Sequence, residues 1–291
     1  MGNVGAVFMF EWKRSLTLPR MAWWLVLAGF PVFIIGVIRF SINASMIENK
    51  PPDPALREVV IHHPEVRDAG KEQKLRDPAP RELWIGFLFA LGPMLVTMLG
   101  TMLWVTPALS AELERRSWVY LSVRPNGGTA VLVGKYLAAV TWVIPPVLLG
   151  LAIAVPLSGA SNGWQIWWTM ARLVLLSTPA YAAVYLLLGT IMPRRGMVLA
   201  VGYSLLFELV ISFVPAVINK LTVHHRLQAL LLQWCELDIP PEFMSGAISL
   251  IGNTPPWQHV AILLLYPPIL VTASIGILRA CEFSSSAESD V

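Results

Sequence analysis

Charged residues and cysteines are both scarce in this 291-residue chain. Asp, Glu, Lys and Arg together make up 13% of the sequence, about half of the roughly 25% that soluble domains carry. So few charges exclude a disordered chain, a nucleic-acid-binding tail and an ordinary soluble enzyme. Two cysteines are too few for a scaffold held together by disulfides.

Hydrophobic residues, in contrast, account for 56% of the chain, and the mean hydropathy is +0.63. A helix needs about 20 mostly apolar residues to cross the roughly 30 Å of hydrocarbon in a bilayer. One charge-free run, 136–171, is too long for a single crossing and has a turn composition at 158–163. The sequence therefore predicts an all-α, multi-pass membrane protein. Its single domain, 1–291, has six predicted spans: 21–42, 83–109, 137–157, 165–192, 197–218 and 260–278.

The placement of Lys and Arg predicts that both termini lie in the cytoplasm. Basic residues exceed acidic ones before the first predicted span, between the second and third, and between the fourth and fifth. Segment 43–82 holds seven basic and eight acidic residues, and segment 219–257 holds two basic and three acidic residues. We therefore expect these two segments on the external side. Trp164, Trp167 and Trp168 would form part of an aromatic belt at that face.

Residues 3–18 are predicted to form an interfacial helix before the first span. Apolar side chains recur at every fourth position from Val4 to Leu16, while Lys13 and Arg14 point away from them. This pattern is typical of an amphipathic helix that lies in the inner membrane interface.

Two apolar stretches before the last predicted span, 227–234 and 243–252, are too short to cross a membrane. They are interpreted either as re-entrant or interfacial helices or as a loop folded over the outer surface. Non-helical backbone at membrane depth is tolerated only where protein or a water cavity covers it.

The sequence contains no arrangement typical of a catalytic or metal site. Stretch 128–135 has five residues between its glycines where a phosphate-binding loop has four, and Tyr136 stands where that loop has Ser or Thr. The adjacent His224 and His225 would not face one way on a helix, so we interpret them as surface histidines. We therefore predict no enzyme activity, no cofactor or metal bound by this chain, and no nucleic-acid partner.

Glu208 falls in the middle of the fifth predicted span. A charged group at the centre of a spanning helix costs about 2.5–3.5 kcal/mol, so such a residue usually faces a cavity or a partner. Tyr203 and Ser204 lie one turn away and could form hydrogen bonds to it. Two interpretations stay open: Glu208 and Tyr203 line a substrate path, or Glu208 is a protonated or hydrogen-bonded residue of helix packing.

Segment 110–135, after the second predicted span, carries the most informative charges. Glu112 can pair with Arg115 and Arg116 at the spacing of one helical turn, which favours a short charged helix. The turn residues 124–128 end that helix, and a second helical stretch leads into the third span. A compact charged helix beneath a membrane bundle suits the docking of a soluble partner.

This segment resembles the loop between the second and third spans of ABC-2 type transporter permeases. The family commonly has an acidic pair, a turn at proline and a Gly-Lys step that enters the next span. Arg116 and Ser117 stand where the family often has Gly-Thr, and Gly128 stands where it often has a basic residue. Residues 10–14 also resemble the family's N-terminal connecting helix. The residues that match without gaps are Glu112, Glu114, Arg115, Pro125, Gly134 and Lys135.

The resemblance implies the permease subunit of an ATP-driven ABC transporter, expected to be an exporter in the bacterial inner membrane. Two permease subunits would pair around a central path lined largely by spans two and five. Each would dock a separate ATPase subunit, in which ATP and Mg²⁺ are expected. The docking residues implied are Glu112, Glu114, Arg115, Arg116, Ser117 and Trp118 in the coupling helix, 110–124, and Phe10, Glu11, Trp12, Lys13 and Arg14 in the N-terminal helix.

Two other functions are compatible with the residues. The chain could be a proton-coupled secondary transporter that uses Glu208, although it has one deep carboxylate and no clear internal repeat. It could instead be an intramembrane enzyme or a non-transporting membrane scaffold, and the lack of clustered catalytic groups weakens the enzyme version.

Overall fold

The computed structural model describes residues 2–48, 81–114, 126–210, 222–235 and 254–280. Every regular element within these ranges is helical, which confirms the predicted all-α class. Several of the helices are long and apolar enough for a multi-pass membrane protein. Among the described residues, five helices qualify: Leu18–Ile42, Arg81–Glu114, Gly127–Ser158, Gly163–Ile191 and Pro256–Ala280.

In the first part of the fold, the helical run Arg81–Glu114 has mixed geometry, with α-, π- and 3-10-helical segments. Pro93 has no N–H to donate and its ring does not fit an α-helix interior, so the helix widens around it. The hydroxyl of Thr97 donates to the carbonyl of Gly92 at 3.0 Å within this wide turn. The elements here are α1 (Gly2–Ser15), α2 (Leu18–Glu48), α3 (Arg81–Phe89), a π-helical segment (Ala90–Val96), α4 (Thr97–Val105), a 3-10 turn (Thr106–Ala108) and α5 (Ser110–Glu114).

The second part of the fold begins with a helical hairpin. Its elements are α6 (Gly127–Ser158), α7 (Gly163–Ile191), a 3-10 turn (Pro193–Arg195), α8 (Gly196–Tyr203), a second π-helical segment (Ser204–Val210), α9 (Val223–Cys235) and α10 (Pro256–Ala280). Gly159 and Asn162 adopt left-handed backbone conformations, with φ of 71° and 60°, and together turn the chain between α6 and α7. Arg39 of α2 donates to the carbonyl of Leu157 at 2.8 Å and so covers an unpaired carbonyl at the end of α6.

Part of the predicted architecture lies outside the described residues. The predicted span 197–218 is described as far as residue 210, so the total of six spans and the cytoplasmic placement of both termini stay predictions. Stretch 243–252 and most of segment 43–82 also lie outside. Stretch 227–234 falls within α9, a helix that packs against α7 and α10.

Close backbone contacts set the positions of the central helices. Gly150 of α6 abuts the backbone of Ala28 in α2, and Gly189 of α7 abuts the carbonyl of Thr106. Small residues allow such approach between spanning helices. In the most apolar 18-residue stretch of the run Arg81–Glu114, 61% of the residues are buried, and the same holds for α7. The corresponding share for α10 is 11%. The run Arg81–Glu114 and α7 therefore form the centre of the bundle and α10 lies at its edge.

Candidate functional site

The N-terminal helix α1 lies against the start of α6, with Gly134 at the closest contact. A Cβ atom at Gly134 would lie 2.7 Å from Val7 Cγ1 and 3.2 Å from the backbone nitrogen of Phe8. A larger residue at this position would therefore push α1 away. Trp12 of α1 also packs edge-to-face on Trp142 of α6, with 5.9 Å between ring centroids. The lack of a side chain at Gly134 thus allows α1 to pack directly against α6.

The ammonium group of the next residue, Lys135, joins three helices. Its Nζ lies 2.6 Å from Glu112 Oε1 in α5, 3.8 Å from Glu11 Oε1 in α1 and 2.9 Å from the carbonyl oxygen of Ala108. The side chain of Lys135 is only 9% exposed, and those of Glu11 and Glu112 are 12% and 13% exposed. Because water screens these charges less than charges on the surface, their attraction is stronger than in an exposed ion pair.

Two arginines complete this group of charges. Arg14 Nη1 lies 3.6 Å from Glu11 Oε1, and Arg20 Nη1 lies 4.0 Å from Glu11 Oε2. We call Glu11, Arg14, Arg20, Glu112 and Lys135 the charged junction. It connects the N-terminal helix, the beginning of the predicted coupling helix and the base of α6.

The predicted docking residues divide between the junction and the surface. Glu112 belongs to the junction, while Glu114, at the end of α5, is exposed. In α1, Glu11 is buried, whereas Lys13 is exposed and Phe10 is 64% exposed. The remaining predicted coupling residues lie outside the described part of the chain: Arg115, Arg116, Ser117 and Trp118.

A second polar cluster surrounds Glu208, which is fully buried at 0% exposure. The hydroxyl of Tyr203 donates to Oε1 of Glu208 at 2.8 Å, as the sequence predicts. The hydroxyl of Tyr181 in α7 donates to Oε2 at 3.2 Å, and the backbone N–H of His224 in α9 donates to the same oxygen at 3.0 Å. We call Tyr181, Tyr203, Glu208 and the N–H of His224 the Glu208 cluster. Its donors supply the partners that a buried carboxylate requires.

A separate hydrogen bond joins α7 to the start of the second π-helical segment. The hydroxyls of Tyr185 in α7 and Ser204 lie 2.6 Å apart, and Ser204 Oγ also donates to the carbonyl of Ala200 at 2.8 Å. The ring of Tyr185 stacks on that of Tyr181, with 6.4 Å between centroids. Ser204, predicted as a partner of Glu208, is thus engaged with Tyr185.

The interpretation of His224 and His225 as surface histidines is wrong, since they are 4% and 5% exposed. They lie in the first turn of α9, whose apolar face is covered by α7 and α10. Thr222 caps this helix, because its Oγ1 accepts the backbone N–H of His225 at 3.2 Å. Burial lowers the pKa of His224 to about 4, and the neighbouring His225 adds to this effect.

No set of three His, Cys, Asp or Glu side chains within the described ranges is placed to hold a metal ion.

Further polar contacts attach α9 to α10. Arg226 Nη1 lies 3.2 Å from His259 Nδ1, and the other ring nitrogen of His259 lies 2.9 Å from Thr254 Oγ1. The first turns of α9 are therefore fixed by polar contacts to neighbouring elements.

The three tryptophans predicted for the outer belt lie together at the start of α7. Their ring centroids are separated by 5.4 Å to 5.8 Å: Trp164, Trp167 and Trp168. Two of them, with α6, line an apolar groove of about 350 Å³. Their depth in a membrane stays a prediction.

Comparisons of the chain with protein-family models, curated proteins and solved structures found no match. The resemblance to ABC-2 permeases therefore depends on the matched residues alone.

Sequence reasoning missed four members of these clusters: Arg20, Lys135, Tyr181 and the N–H of His224. The Gly-Lys step singles out Lys135 but does not indicate its partner in α1, Glu11. A buried lysine at the start of an apolar span, with a carboxylate available in a preceding interfacial helix, is the signal that could have found it. Tyr181 lies 27 residues from Glu208, and no local pattern connects them.

Proposed function

We propose that the chain is the permease subunit of an ATP-driven transporter in a bacterial cytoplasmic membrane, with six spans and both termini inside. The observation that carries the proposal is the charged junction, in which Lys135 holds Glu112 and Glu11 together. A buried ion pair is often no more stabilising than well-packed apolar residues. Its occurrence here favours a role in linking elements that must move together.

In this proposal the junction transmits force from a soluble partner to the spanning helices. A separate ATPase subunit, which holds ATP and Mg²⁺, docks on the exposed Glu114 and on the coupling residues that follow it. Displacement of α5 is passed through Glu112 and Lys135 to α6, and through Glu11 to α1. Two permease subunits, each with its ATPase, alternate the path between inward-facing and outward-facing states.

The described contacts of Glu208 favour this proposal over proton-coupled transport. A proton carrier needs access to water during its cycle, whereas Glu208 is fully buried and accepts hydrogen bonds from Tyr181, Tyr203 and His224. These contacts suit a carboxylate that holds structural elements together.

Affinity purification from the native membranes, under conditions that preserve complexes, tests the proposal. We expect the tagged chain to recover a subunit with a phosphate-binding loop. Glu114→Lys should reduce that recovery, because Glu114 is exposed at the end of α5. Glu82→Lys is the matched control, since it makes the same charge change at the other end of the run Arg81–Glu114.

Two outcomes have different meanings. If the wild-type chain recovers no ATP-binding subunit, the proposed function is wrong. If the ATPase is recovered equally with Glu114→Lys and with the control, the function stands and the docking assignment is wrong.

A further inference from the structure

The amino end of α9 is buried, so its first backbone N–H groups need hydrogen-bond acceptors from elsewhere in the protein. The first N–H groups of a helix have no partner within the helix, and an unpaired buried N–H is costly. Thr222 satisfies the N–H of His225 from within the same segment. The N–H of His224, in contrast, is satisfied by Glu208, which belongs to a different helix.

Glu208 also lies in backbone that departs from the α-helix. It sits within the π-helical segment Ser204–Val210 that follows α8. Single π-helical turns inside longer helices are frequent at functional sites, because the extra residue per turn changes where side chains point. The carboxylate that pairs with the N–H of His224 is therefore carried by a segment of non-α geometry.

We propose that Glu208 is an anchor that couples the position of α9 to the conformation of the π-helical segment. While the segment keeps its present geometry, the carboxylate holds the amino end of α9 within the bundle. When the segment shifts, the N–H of His224 loses its acceptor and the first turn of α9 is loosened. Tyr203 and Tyr181 are positioning residues, since their hydroxyls fix the carboxylate. This inference does not depend on an ATPase partner.

Two tyrosines beside the π-helical segment provide a matched comparison. Tyr185 is buried and Tyr203 is half-buried, and each has a hydroxyl that forms a hydrogen bond close to that segment. The bond of Tyr203 goes to Glu208, whereas that of Tyr185 goes to Ser204, which keeps a second partner in the carbonyl of Ala200. Removing either hydroxyl changes one oxygen atom, but only Tyr203→Phe removes a hydrogen bond to the carboxylate of Glu208.

Hydrogen exchange of the full chain in lipid nanodiscs, read by mass spectrometry over 222–235, is the test. Glu208→Met removes the acceptor, so amide exchange at the start of α9 should become about tenfold faster or more, as expected when a buried N–H loses its hydrogen bond. Tyr203→Phe should accelerate it severalfold. Tyr185→Phe should leave it within twofold of wild type.

A second readout follows the other end of α9. Cys235 is 3% exposed, and burial raises the pKa of its thiol, so it should react slowly with maleimide. With Cys281 replaced by Ser, labelling of Cys235 should quicken in the Tyr203→Phe variant if the whole helix is released, and should stay slow if opening is confined to the first turn. Either pattern, accompanied by fast exchange at the start of α9, supports the anchor.

The proposal is overturned by either of two results. In the first, Tyr203→Phe leaves exchange at the start of α9 unchanged. In the second, Tyr185→Phe accelerates it as much as Tyr203→Phe, which would indicate general loosening of the bundle. The comparison of the two tyrosine variants remains decisive even if Glu208→Met fails to fold.

Discussion

Replacing Lys135 by Met would remove the charge that joins three helices while keeping a long, unbranched side chain. Breaking a buried ion pair costs about 3–5 kcal/mol, because the remaining charge stays buried without its partner. Glu112 keeps 13% exposure, and Glu11 keeps Arg14 at 3.6 Å, so the cost should lie near the lower limit. We expect a loss of about 3 kcal/mol, which lowers the thermal midpoint by roughly 6 °C for a chain of this size.

Thermal unfolding in detergent, followed by tryptophan fluorescence at a fixed scan rate, measures this change. Lys13→Met is the matched control, since it removes the same charge from an exposed position in α1 and should change stability by less than about 0.5 kcal/mol. Combining Lys135→Met with Glu112→Gln should be less damaging than the sum of the two, with a coupling energy of about 1–3 kcal/mol. Equal midpoints for Lys135→Met and Lys13→Met would refute the reasoning.

Two further predictions concern α1 and α9. Gly134→Val should press on Val7 and displace α1, at a cost of about 1–3 kcal/mol, whereas Gly29→Ala, with nothing within 4 Å of the added carbon, should be neutral or slightly stabilising. Trypsin cleavage within α1 would be faster in the first variant, and equal rates would contradict the prediction. The pKa of His224, about 4 in the folded protein against 6.5 ordinarily, means that the unfolded chain binds the proton first as the pH falls. Its contribution to stability is complete above pH 6.5 and should fall by about 2 kcal/mol by roughly pH 5. His224→Gln should flatten the decline of the thermal midpoint between about pH 7 and pH 5, and an unchanged decline would exclude this histidine as its cause.

The helical class and the turn at 158–163 could be predicted because both depend on local properties. Runs of apolar residues are long enough to cross a membrane only as helices. The turn has a composition that the left-handed backbone of Gly159 and Asn162 explains. The contact between Tyr203 and Glu208 could also be predicted, since it links residues on successive turns.

The remaining contacts could not be predicted because they join distant parts of the chain. Glu11 meets Lys135 only after α1 folds back on α6, and the N–H of His224 reaches Glu208 only after α9 enters the bundle. The two histidines show the same limit. Their adjacency argued against a metal site, but it contained no information about burial, which follows from the packing of α9 against α7 and α10.

Site-specific photo-crosslinking in native membranes tests the central claim most directly. A photoreactive residue would replace Glu114, at the exposed end of α5, and in a second variant Glu82, at the other end of the same run. We predict a crosslink from position 114 to a protein with a phosphate-binding loop, and none to that protein from position 82. Crosslinking to such a protein from position 82, with none from position 114, would contradict docking of an ATPase beside the charged junction.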